Sequence, residues 1–146
     1  MVPLKAANRT EPTRSELSRR ILNVEDNADA RETLREALEM AGHEVFEADS
    51  GPSGVESALA KGPEVALIDI GLPGFDGYEV ARQIRSASEV QGIILIALTG
   101  YGLPEDRLRG EEAGFDAHFV KPLDFEKLTK LLTAFDGTEI KKPVAL

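Results

Sequence analysis

The sequence has 146 residues, 42% of them hydrophobic and 29% charged, the balance of an ordinary folded domain with a core of its own. It contains no cysteine, which excludes disulfides and thiolate metal sites, and its two histidines, His43 and His118, are too few for a histidine-rich one. The formal charge is −9, with the first twenty residues at +3 and the remainder at −12, which argues against nucleic-acid binding and for cations or basic partners.

Residues 1–18 are polar, contain Pro3 and Pro12 and lack periodicity, which predicts a flexible leader or a linker from something upstream. No signal peptide pattern opens the chain and no apolar run is long enough to span a bilayer, so a cytoplasmic protein without a membrane partner is expected. A first short strand covers Arg19–Val24 and closes on Glu25-Asp26-Asn27. From Ala28 to Ala41 apolar residues recur at Ala30, Leu34, Ala37, Leu38 and Ala41, a helical stripe with Asn27 as its cap and Gly42 as its stop. His43–Ala48 reads as a second strand with a surface histidine, Asp49–Ser53 as a turn, and Gly54–Lys61 as a short helix ended by Gly62-Pro63.

The third strand, Glu64–Asp69, is a continuous apolar run of the kind a strand buried on both faces requires, and it ends on a carboxylate. Pro73, Gly74 and Gly77 break the chain after it, and Asp76 is placed to cap a third helix that runs to about Ser86. Phe75 and Tyr78 read as packing residues there. Gly92–Leu98 is the most strand-like run and ends on Thr99-Gly100; Pro104 opens a fourth helix to Ala113. Phe115–Val120 gives a fifth strand ending on Lys121-Pro122, Asp124 caps a last helix from Phe125 to about Phe135, and the tail (137–146) is expected to fray. Arg107, Arg109, Lys127 and Lys130 read as solvated helix surface or a docking face. Five rounds of strand then helix predict one α/β domain, a doubly wound parallel sheet with helices on both faces.

In such a sheet the carboxyl ends of the strands share one edge, where open α/β folds keep their ligands. Glu25, Asp26, Asp69, Thr99 and Lys121 then face one crevice. Two like charges about 4 Å apart repel by roughly 4 kcal/mol at an effective dielectric of 20. Three acids therefore need relief, which Lys121 supplies in part and a hard cation, Mg²⁺ above all, could complete. Taken alone, the Glu25-Asp26 pair could equally open a helix, where acids are favoured.

The acidic pair Glu25-Asp26, Asp69 followed by Leu72-Pro73 and Asp76-Gly77, Thr99-Gly100 and Lys121-Pro122 together resemble the receiver domain of two-component response regulators, similar to the bacterial chemotaxis response regulator. The resemblance spans about 19–136. It implies a flavodoxin-like sheet of order 2-1-3-4-5 with five helices. It also implies that Asp69 accepts a phosphoryl group from a phosphohistidine on a sensor histidine kinase or histidine phosphotransfer protein, or from a small phosphodonor. Asp26, Asp69 and the Gly71 carbonyl would ligate Mg²⁺, with Glu25 acting through water. Thr99 would hydrogen-bond the phosphoryl group, Lys121 would pair with it, and the Lys121-Pro122 bond would be cis. Such a protein catalyses only its own phosphorylation and dephosphorylation, and passes the change to a downstream protein target.

The switch position, an aromatic in the family, is His118 here, either a pH-sensitive switch or a half-exposed histidine without a special role. Gly71 and Tyr101 stand where the family tunes phosphoryl lifetime. The run Ala97–Gly102 is similar to receivers attached to hybrid kinases. A flavodoxin-type flavin binder, disfavoured by the acids of the first loop, is one alternative. A haloacid-dehalogenase-like phosphatase, which wants an aspartate where Gly71 stands, and a degenerate receiver that only binds proteins are the others.

Overall fold

The expected rounds of strand and helix are present in the computed structural model, which describes residues 18–87, 92–100, 104–134 and 144–145. They run β1 (Arg20–Val24), α1 (Ala28–Met40), β2 (Glu44–Ala48), α2 (Gly51–Lys61), β3 (Val65–Asp69) and α3 (Gly77–Ser86). The second half continues with β4 (Ile94–Thr99), α4 (Pro104–Ala113), β5 (Ala117–Val120) and α5 (Phe125–Ala134). The sheet order is β2-β1-β3-β4-β5, all parallel, extended at the β5 edge by a two-residue strand, β6 (Val144–Ala145). Apart from Val144 and Ala145, the expected tail lies outside the described residues. The expected leader up to residue 17, Tyr101 and Gly102 lie outside the described residues.

Alternation along each strand sorts the apolar side chains onto two faces. Leu22, Val24, Ala66, Ile68, Leu95 and Ala97 pack under α2 and α3 and the end of α4, through Ala58, Val80, Ile84 and Ala113. Ile21, Val65, Leu67, Ile94, Ile96 and Phe119 pack on the other face, where α1 contributes Leu38 and α5 contributes Leu128 and Leu132. All five residues of β3 are buried, as a central strand covered on both sides demands.

Two expectations are corrected here. The α2 helix starts three residues before Gly54, because Ser50 and Ser53 exchange a reciprocal capping box and Pro52 fits the first turn. His43 is not a surface residue: it is buried, and its Nδ1 accepts the Arg19 N–H at 3.0 Å. Asn27 and Asp76 cap α1 and α3 as expected, each accepting from the backbone N–H three residues on. Gly42 takes φ 100° after α1, a conformation that favours glycine. Far from the carboxyl edge, Arg85 ties α3 to the sheet through Asp116 (2.6 Å), the Gly114 carbonyl (2.9 Å) and the Ile93 carbonyl (2.7 Å).

Candidate functional site

Register brings the site together. Val24 pairs with Ile68, so Glu25 stands level with Asp69; Thr99 pairs with Val120, so Lys121 follows one step beyond. Carboxylate oxygens of Glu25, Asp26 and Asp69 lie within 4.8 Å of one another, with Glu25 and Asp69 buried and Asp26 exposed. Lys121 Nζ donates to Glu25 Oε1 at 3.1 Å and stands 3.3 Å from Asp69 Oδ2. The lysine reaches this position from a cis Lys121-Pro122 bond, as expected.

Backbone N–H groups hold the acids in place. Asn27 N–H donates to Glu25 Oε2 at 3.1 Å, and Gly71 N–H donates to Asp69 Oδ1 at 2.9 Å. Beneath the β3–α3 loop, Gly77 packs so closely that a Cβ there would lie 2.5 Å from Ile70 Cα and 2.7 Å from the Asp69 carbonyl oxygen. The glycine lets α3 begin against the strand end that carries Asp69.

The charges are only partly balanced. Burial pushes the Glu25 carboxyl up; the Asn27 N–H opposes this, the Asp69 charge adds to it, and Lys121 pulls back. For Lys121, burial acts downward, but Asp69 and Glu25 outweigh it and the ammonium is held above its ordinary value. The pair is thus lopsided: the fold favours the ammonium more than it favours the Glu25 carboxylate. One monovalent cation does not neutralise three acids, and the all-oxygen donor set fits a hard dication such as Mg²⁺.

Thr99, buried at the end of β4, lines the same cleft of about 450 Å³ as Asp69, Gly71 and Lys121. Tyr78, Asp106 and Arg109 also line it; Tyr78 is buried and Arg109 exposed, as the sequence suggested, but the sequence did not show that both face the cleft. Tyr78 is buried, its hydroxyl donates to the Asp106 carbonyl at 3.4 Å, and the Arg109 guanidinium sits 4.1 Å from its ring centroid. Nothing in the weak apolar pattern of α4 signals this. Arg107 is half-buried, while Lys127 and Lys130 are exposed on α5.

His118 is not half-exposed. It is buried under Gly110 of α4, and its Nε2 has no hydrogen-bond partner among the described residues. Burial first, and then the Arg107 charge, lower its pKa, with Asp106 opposing.

No helix among the described residues is long and apolar enough to cross a membrane. The family model for the response regulator receiver domain matches residues 21–133. Protein PilH of Pseudomonas aeruginosa is 35% identical over 115 residues, which are 79% of this chain and 95% of that protein. The phosphate regulon transcriptional regulatory protein PhoB of the same organism is 35% identical over 114 residues, covering 78% of this chain and 50% of PhoB. The chain therefore spans about half the length of such transcriptional regulators. Among solved structures, the receiver domain of a Pseudomonas aeruginosa sensor histidine kinase, with a magnesium ion coordinated in its active site cleft, superposes with a TM-score of 0.75. It is 30% identical, covering 83% of this chain and 99% of that domain.

Proposed function

The chain belongs to the response regulator receiver family of two-component signalling, and on that premise we propose that Asp69 is its phosphoacceptor. The observation that carries this is the Asp69 carboxylate itself, placed between two further acids and the Lys121 ammonium at the carboxyl edge of the central strand. The donor is the phosphohistidine of a sensor histidine kinase or a histidine phosphotransfer protein, or a small acyl phosphate, and the cytoplasm is where such donors are made. We take residues 19–136 as the receiver unit, with 1–18 as leader and 137–146 as tail.

Asp26, Asp69 and the Gly71 carbonyl are the residues that would hold Mg²⁺ directly, with Glu25 through water. Bound there, the metal supplies charge neutralisation between the carboxylate and the incoming phosphoryl group. The rest is done by the chain. An Asp69 oxygen forms the new O–P bond as the P–N bond to the donor imidazole breaks, and the departing nitrogen keeps that electron pair. Gly71 N–H holds Oδ1 at 2.9 Å, which fixes the rotamer from which Oδ2 can attack. Lys121 pairs with the phosphoryl oxygens, and Thr99 donates its hydroxyl to one of them. The same groups, with water as the nucleophile, reverse the modification, so the activity is confined to the protein's own aspartyl phosphate. We assign Thr99 to move toward the phosphoryl group, and His118, on β5 beneath Gly110 of α4, to carry that movement to the face formed by α4, β5 and α5, which a downstream protein target reads.

Incubation with acetyl phosphate, with and without Mg²⁺, followed by intact mass measurement tests the reading. One phosphoryl group is gained only with Mg²⁺, and none in Asp69→Asn. A wild-type protein that stays unmodified would return the chain to a receiver that only binds proteins. A flavin binder is disfavoured, because Glu25 and Asp26 occupy the loop where a flavin phosphate would sit.

A further inference from the structure

The cleft above Asp69 contains a cation that the proposed chemistry leaves unused. Its walls carry Asp69, Asp76 and Asp106 as acids against Lys121 and Arg109 as bases. Lys121 is engaged by Glu25 and Asp69. Arg109 forms no ion pair among the described residues, although Asp106 lies one turn before it on the same helix. Its guanidinium is held instead 4.1 Å from the Tyr78 ring centroid. Stacking on an aromatic face fixes the plane of a guanidinium and leaves its N–H edge open to an anion.

We propose that Arg109 is a donor-binding residue, a second cation that meets the phosphoryl dianion of the phosphodonor as it enters the cleft. This rests on Asp69 being the acceptor. Without Arg109 the mouth of the cleft presents Asp76 and Asp106 to a dianion, and entry is opposed. With it, the donor is drawn in and its phosphoryl group is handed to Lys121 and Thr99. The buried Tyr78 acts through Arg109 as a positioning residue: its hydroxyl on the Asp106 carbonyl ties the same stretch of α4 to α3. That tie matters because α4 buries only Gly110 and Ala113 and leaves Leu108 exposed.

The test uses the whole chain with saturating Mg²⁺. The second-order rate constant for phosphorylation by acetyl phosphate is expected to fall about three- to tenfold in Arg109→Gln, the effect of one unit charge roughly 6–12 Å from a dianion at water-like screening. Arg109→Lys recovers to within about twofold of wild type, and the gap closes in about 1 M salt, where the Debye length is about 3 Å. Mg²⁺ affinity in Arg109→Gln is unchanged or tighter, the opposite of what a disrupted site would give. A separate titration with phosphonoacetate, an unreactive analogue, follows the backbone amide resonances of Gly71 and Gly100, which line the cleft, and gives a several-fold weaker affinity in Arg109→Gln. Because that titration needs no transfer, it judges Arg109 even if Asp69 proves not to be the acceptor. An Arg109→Gln protein within twofold of wild type in both measurements, or an Arg109→Lys protein as slow as Arg109→Gln, overturns the inference.

Discussion

Replacing Lys121 with methionine keeps the reach of the side chain, removes its charge, and separates the two tasks assigned to it. Its Nζ stands 3.1 Å from Glu25 Oε1 and 3.3 Å from Asp69 Oδ2. Each contact amounts to about 5 kcal/mol at an effective dielectric of 20 and about 1.3 kcal/mol in bulk water. The lysine side chain is 36% exposed, so solvent screening governs and the lower value is the better guide. The two contacts together should contribute about 2 kcal/mol in the absence of metal. The same ammonium repels any dication held by the three acids, so its removal should tighten Mg²⁺ about three- to tenfold.

Urea unfolding in EDTA is therefore expected to show Lys121→Met about 2 kcal/mol less stable than wild type. The gap narrows as MgCl₂ is added, because the tighter binder gains more by mass action. Calorimetric titration gives the affinities directly. A variant as stable as wild type in EDTA, or one that binds Mg²⁺ more weakly, refutes the charge balance described for the site.

Acidification should weaken the fold through both histidines, since burial holds each below the ordinary value of 6.5. The unfolded chain takes up protons first as pH falls, so the stability these residues confer is complete above about 6.5 and is lost below it. His118→Phe removes one such proton and the unpartnered Nε2, so urea unfolding at pH 5.5 and 7.5 should show a shallower pH slope and about 1 kcal/mol more stability near pH 6; an unaltered slope would show that His118 does not titrate this way. Gly77→Ala should cost about 2 kcal/mol by overpacking and slow phosphorylation of Asp69, because its Cβ would meet the Asp69 carbonyl oxygen at 2.7 Å. Gly92→Ala, whose Cβ meets nothing within 4 Å, is the control, and equal behaviour of the two would sever Gly77 from the placement of Asp69.

The members of the site were legible because each of them follows an apolar strand directly. Val65–Ile68, Ile94–Leu98 and Ala117–Val120 can be read as strands from their runs alone, and parallel topology then fixes Asp69, Thr99 and Lys121 on one edge without any knowledge of side-chain geometry. What the sequence hid depends on how elements lie against one another. His43 follows a helix stop, opens the run read as the second strand and looks like surface; only the packing of Arg19 beside it makes its Nδ1 a buried acceptor. Ser50-Gly51-Pro52-Ser53 carries every mark of a turn, and it is the reciprocal bonding of Ser50 and Ser53 that makes it the first turn of α2.

Arg109 is the most instructive case. The α4 helix has no apolar stripe to show which face it buries, so from the chain alone every charged residue on it reads as solvated. Its facing is set by Gly110 and Ala113, the two positions small enough to approach the sheet, with Phe115 and His118 packed against Gly110. Once those glycine and alanine contacts orient the helix, Asp106 and Arg109 fall on the side of Tyr78 and of the cleft. The smallest residues of α4 thus decide where Arg109 points. A bulky substitution at Gly110 should disturb donor entry through Arg109 as well as the packing of His118.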